Sequence, residues 1–78
     1  MAELTQEQIE RKIAAYLKSN YGEDLVDCEV LQDELSEGGD GRLVTRCRVR
    51  VGASESLWQK TFTFRDEEIV NMTWRRIS

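Results

Sequence analysis

Hydrophobic and polar residues change period once along this chain, and the change separates two kinds of element. Ile9, Ile13, Tyr16 and Leu17 recur at i, i+4, i+7 and i+8, the stripe of a helix that buries one side. Ala14 flanks that stripe, and Ala14 and Ala15 both favour helix. Glu7, Glu10, Arg11, Lys12 and Lys18 fall mostly on the opposite side, with Glu7 and Arg11 at ion-pair spacing. Thr5 and Gln8 have the form of a capping box, and Leu4 and Ile9 the spacing of a hydrophobic staple. Asn20 and Gly22 supply a left-handed stop. The pattern predicts a helix over residues 6–19.

From Leu25 onward the period is two, and four strands are predicted. In the first, Val26, Cys28 and Val30 alternate with Asp27, Glu29 and Leu31. It runs into the glycine-rich segment Ser36 to Gly41, expected to be a turn and the most mobile loop. The second has the cleanest alternation: Leu43, Thr45, Cys47, Val49 and Val51 on one side, Val44, Arg46, Arg48 and Arg50 on the other. Gly52 to Glu55 makes the next turn. The third sets Trp58, Phe62 and Phe64 against Gln59, Thr61 and Thr63. Lys60 shares the aromatic side, so its stem is expected to lie along the rings while its ammonium snorkels to water. After Asp66-Glu67-Glu68, the fourth strand sets Val70, Met72 and Trp74 against Asn71, Thr73 and Arg75.

The inward sets converge on one expected core: Ile9, Ile13, Leu17, Val26, Cys28, Val30, Cys47, Val49, Val51, Trp58, Phe62, Phe64, Val70, Met72 and Trp74. Short connections make the sheet an antiparallel meander in the order 1-2-3-4, crossed on one face by the helix. The prediction is therefore an α+β fold, α-β-β-β-β, in one domain over residues 1–78. The arrangement is similar to the cystatin fold in topology only. The inhibitory pattern Gln-x-Val-x-Gly is absent and Arg48 to Gly52 is a poor stand-in, so the topology carries no function here.

Composition narrows the field further. The 78 residues are 40% hydrophobic and 33% charged, with no proline and no histidine. That balance belongs to a globular chain. Without histidine the commonest general base and metal ligand are both missing. No apolar run approaches the length of a membrane span. The opening Met-Ala-Glu-Leu-Thr-Gln lacks the basic and apolar regions of a secretory signal, so a cytoplasmic address is expected. Two cysteines, Cys28 and Cys47, are too few for a disulfide scaffold or a zinc site. They are read as small buried hydrophobes, with a register that also permits a cross-strand disulfide.

Charge is segregated beneath a net value of −4. Eight acids and no base lie between Glu23 and Asp40, whereas four arginines and no acid lie between Arg42 and Arg50. If the first two strands form a hairpin, Glu29 falls near Arg48 and Asp27 near Arg50, a ladder that helps set register. The outward set Arg46, Arg48, Arg50, Thr61, Thr63, Thr73 and Arg75 forms the candidate binding face. An RNA-binding sheet would expose aromatics beside such arginines, and here the aromatics have core parity. Asp33, Glu34, Glu37 and Asp40 surround two glycines but lack EF-hand spacing, so the segment reads as a solvated turn. No carboxylate pair looks desolvated, no nucleophile has a histidine partner, and no phosphate loop is present. No catalytic residue, cofactor or metal site is predicted. The expected role is a non-enzymatic protein-interaction module, as a homodimer or accessory subunit. A nucleic-acid-binding domain using the arginine face is the second reading, and a small-molecule or metal binder the third.

Overall fold

A computed structural model describes residues 5–78 of the chain, so the predicted Leu4–Ile9 staple lies outside the described residues. The helix α1 runs from Gln6 to Tyr21. It is followed by β1 (Asp24–Leu35), β2 (Gly41–Val51), β3 (Ser54–Arg65) and β4 (Glu68–Arg76). The four strands form one antiparallel sheet in the order β1-β2-β3-β4. This is the predicted α-β-β-β-β meander.

The helix starts where its capping residues place it. The Gln8 amide donates to Thr5 Oγ1 at 3.1 Å, and the Thr5 amide donates to Gln8 Oε1 at 2.9 Å. This reciprocal box satisfies two amides that the first turn leaves without helical partners. The helix ends two residues later than predicted. Asn20 stays helical, its Nδ2 donating to the Tyr16 carbonyl at 2.9 Å, and Gly22 alone takes the left-handed conformation at φ 68°. Ile9, Ile13 and Leu17 are buried against the sheet, and Tyr16 meets Phe62 edge-on at 6.2 Å.

The core beneath the helix also contains Leu43, Cys47, Val49, Phe62, Phe64 and Met72. Leu43 belongs to the inward set of β2, although it was not among the predicted core residues. Four predicted core residues lie on the surface instead: Val26, Val51, Val70 and Trp74. Two of them are displaced by β-bulges. A register shift between Leu25 and Asp27 makes Val26 the extra residue, and Leu25 packs inward in its place. A shift opposite Thr63 and Phe64 does the same to Val70, and Ile69 takes its role. A bulge flips every following side chain to the other face. A second bulge at Leu31 therefore restores the inward parity of Leu35.

Val51 and Trp74 keep inward parity but lie outside the cover, Val51 at the end of β2 and Trp74 on the edge strand, opposite Lys60 midway along β3. Sixteen helical residues span about 24 Å, whereas twelve residues of strand span about 40 Å, the long dimension of the molecule being 40 Å. One helix leaves the end of the inner face open, and Trp74 also stands on an edge strand.

The glycine-rich loop is tied down rather than free. It closes on itself through Ser36 N–H to the Asp40 carbonyl (2.7 Å) and docks on the β3–β4 turn, where the Glu67 amide donates to the Gly39 carbonyl (3.1 Å) and the Asp66 amide to Asp40 Oδ1 (2.7 Å). Gly39 is buried at φ 82°, and a Cβ there would lie 2.5 Å from Glu67 Cγ. Asp66 and Glu67 both take positive φ, 51° and 69°, the sign pattern of a two-residue type I′ hairpin turn. The β2–β3 turn is also two residues, Gly52 and Ala53, so Ser54 and Glu55 belong to β3.

Candidate functional site

The outer face of the sheet carries the predicted binding residues. Arg46, Arg48 and Arg50 project there from β2, Thr61 and Thr63 from β3, and Thr73 and Arg75 from β4. Thr61 is directly opposite Thr73, and Arg75 Nη2 donates to Gln59 Oε1 across the strand pair at 3.1 Å. With Trp74, these residues line a shallow depression.

The arginine row is matched by acids on both sides. Arg42 lies 3.6 Å from Glu34, Arg46 3.8 Å from Glu29, and Arg48 3.7 Å from Asp27. Arg50 donates to Glu55 at 2.7 Å. The pairing differs from the expected one by one rung: Arg48 faces Asp27, and Arg46 faces Glu29. The offset arises in two places: Leu35 stands opposite Gly41 where the strands leave the loop, and the bulge at Leu31 moves the later partners one residue further, which alternation alone does not reveal. The Arg50 hydrogen bond holds the Glu55 carboxyl below its ordinary pKa and raises that of Arg50. Among the described residues, Arg65, Arg75 and Arg76 have no carboxylate within ion-pair distance; all three lie on β3 and β4.

The inner face holds a feature that alternation did not reveal. Lys60 does not snorkel: it is 2% exposed. Its Nζ lies 3.2 Å from Glu23 Oε1, and 5.0 Å and 5.8 Å from the ring centroids of Trp58 and Tyr21. The Glu23 contact is an ion pair without directed hydrogen-bond geometry. Glu23 sits in the two-residue joint between α1 and β1, so helix termination delivers the counter-charge to the sheet. A lysine among inward aromatics and an acid just past the helix stop were the available sequence signals. Neither specified that the two would meet.

Beyond Lys60 the inner face opens. Tyr21 and Trp74 pack edge-to-face at 5.8 Å, yet are 43% and 53% exposed. The Arg76 guanidinium lies 5.6 Å from the Trp58 ring centroid. The result is an exposed aromatic and cationic patch at the β4 edge.

The cysteines are directly opposite each other on β1 and β2, with their sulfurs 3.6 Å apart. Cys47 is fully buried, and its Sγ lies 3.2 Å from Thr45 Oγ1. The Thr45 hydroxyl also donates to the Lys60 carbonyl at 2.8 Å. Cys28 is partly exposed in a depression between α1 and β1.

The acidic loop residues do not converge. Among the described residues, no group of three acids or cysteines is placed to hold a metal ion. No described helix is long and apolar enough to cross a membrane. Neither a family model, a characterised protein nor a solved structure matches the chain.

Proposed function

We propose that this domain is a non-enzymatic protein-interaction module that takes an acidic, extended segment of a partner along the β4 edge. The observation that carries this reading is the conjunction at that edge. The outer edge of β4 is unpaired, the exposed Tyr21–Trp74 pair and Arg76 lie beside it on the inner face, and Arg75 lies beside it on the outer face. An edge strand offers unpaired backbone groups to an incoming strand, which supplies affinity, while side-chain contacts supply selectivity. Exposed tryptophan, tyrosine and arginine are the residues most enriched where protein interfaces concentrate their binding energy.

The two sheet edges differ as templates. β1 is interrupted at Val26 and Leu31, and its outward side chains are acidic. β4 is regular from Asn71 to Arg76 and ends in two arginines. Charge complementarity therefore favours an acidic strand at β4. The β2 arginines are already opposed by carboxylates, which weakens the reading in which they bind nucleic-acid phosphates. A cytoplasmic setting belongs to the proposal and suits two free thiols.

Selection of displayed linear peptides tests the reading, with β4 variants as controls. Acidic sequences with alternating apolar residues are expected, with binding reduced at least tenfold by Trp74→Ala or Arg76→Glu. Light scattering runs alongside. A dimer lost in Trp74→Ala would make a second copy the occupant and overturn the acidic-segment assignment. A 9.1 kDa monomer that selects no peptide would overturn the module itself.

A further inference from the structure

The feature that the interaction reading does not use is the thiol pair. Directly opposed residues of an antiparallel pair have Cα atoms about 4.5–5.5 Å apart. That range lies inside the roughly 4.4–6.8 Å spanned by disulfides. Cys28 and Cys47 are such a pair, and their sulfurs already touch at 3.6 Å. Closing to a bond length of about 2.05 Å requires side-chain rotation, not strand movement.

The two thiols also have unlike access. Cys47 is sealed in the core, whereas Cys28 borders an open depression lined by Glu7, Glu10, Arg11, Ala14 and Leu25. A reagent from solution meets Cys28 first, and the species formed there sits against Cys47.

We propose that Cys28 and Cys47 are an oxidisable pair: low-molecular-weight disulfides engage Cys28, and Cys47 resolves the adduct to a reversible cross-strand disulfide. The thiol pair first loses one proton to water, the remaining proton passes to Cys47 across the 3.6 Å sulfur contact, and the Cys28 thiolate attacks one sulfur of the reagent. The reagent's S–S bond breaks, one half leaves as thiolate, and a mixed disulfide forms on Cys28. Cys47, deprotonated in turn, attacks the Cys28 sulfur, and the second half leaves. Two protein thiols are oxidised, one external disulfide is reduced to two thiols, and the released protons reprotonate the leaving groups.

The surroundings support the resolving step. The hydrogen bond between the sulfurs lowers the pKa of Cys47 and raises that of Cys28, with burial opposing the first shift and adding to the second. Thr45 Oγ1 and the nearby Lys60 charge further favour a thiolate at Cys47. Once Cys28 is capped its thiol no longer donates to Cys47, and Thr45 Oγ1 and the Lys60 charge are the groups that favour the Cys47 thiolate against burial. The bond would tie edge strand β1, with its two bulges, to β2.

Oxidised glutathione is the probe. The native chain is incubated with it, quenched with acid and weighed by mass spectrometry. The wild type is expected to lose the mass of two hydrogens with no adduct retained, and dithiothreitol should reverse this. Cys47→Ser is expected to stop at a single glutathione adduct. Cys28→Ser, with circular dichroism confirming its fold, is expected to stay unmodified until denatured. The oxidised wild type should melt higher by on the order of 10 °C. Three results would overturn the proposal: a wild type that retains its adduct or stays reduced, a disulfide-linked dimer on a non-reducing gel, or native Cys28→Ser reacting as fast as Cys47→Ser.

Discussion

Lys60 shows how much a single residue depends on its surroundings. A lysine in a strand usually lays its stem on apolar neighbours and keeps its charge in water. Here Thr45 opposes it on one side and Trp74 on the other, and the helix end closes over it. The ammonium instead meets Glu23 and the faces of Trp58 and Tyr21. Cation–π contacts strengthen with desolvation, whereas a buried ion pair roughly balances attraction against lost hydration. The pair therefore defines where the helix ends on the sheet more than it adds stability. Lys60→Met alone is expected to destabilise the fold by about 3 kcal/mol, because Glu23 is left without its counter-charge. Glu23→Gln combined with Lys60→Met should recover most of that loss. Urea denaturation of the two single variants and the double variant measures the cycle, and a double-variant loss equal to the sum of the two single losses would show the charges to be uncoupled.

At the scale of elements, hairpins decide which charges meet. The β2–β3 turn of two residues brings Glu55 directly opposite Arg50, and their hydrogen bond holds the Glu55 carboxyl below its ordinary value of 4.5. A group with a depressed folded pKa stabilises the fold above its unfolded pKa, and that contribution disappears as pH falls through the folded value. Acidification from pH 5 downward is therefore expected to loosen this hairpin end. Carbon-13 NMR titration of Glu55 should give a midpoint below 4.5, rising toward 4.5 in Arg50→Gln. Both groups are exposed, so added salt should have the same direction of effect. The two turns also show why this partner was not foreseen. The predicted turn included Glu55, whereas the tight Gly52-Ala53 turn leaves it in the strand.

For the whole molecule, the helix is shorter than the sheet that it covers, and the exposed surface follows from that mismatch. The outer face is a ladder of matched charges, and the open inner end and the β4 edge carry aromatics and unmatched arginines. Nucleic-acid affinity depends on a continuous set of cations free to displace counterions. Here the β2 row faces carboxylates, the unmatched arginines are divided between the two sheet faces, and the net charge is −4. Binding to generic single- or double-stranded DNA is therefore expected to be undetectable by fluorescence anisotropy even at low salt. Affinity that falls steeply with added salt, and that Arg46→Gln or Arg48→Gln reduces, would instead make the outer row a nucleic-acid surface.

The helix, its cap, the number of strands and their meander order were legible in the residues themselves. Periodicity and turn chemistry are local, and Thr5, Gln8, Gly22 and the alternation of β2 act over a few positions. The thiol pair was legible as a register that two inward cysteines permit. Bulges, cover and long-range partners were not legible. Val26 and Val70 alternate correctly on paper, and only strand pairing makes each the surplus residue. Trp74 has core parity, and its place on an edge strand, outside the cover of the single helix, leaves it in water. Lys60 and Glu23 lie far apart in sequence, and tertiary packing alone joins them. Local interactions wrote the elements into the chain, whereas the competition among elements for one shared core decided which side chains remained outside it.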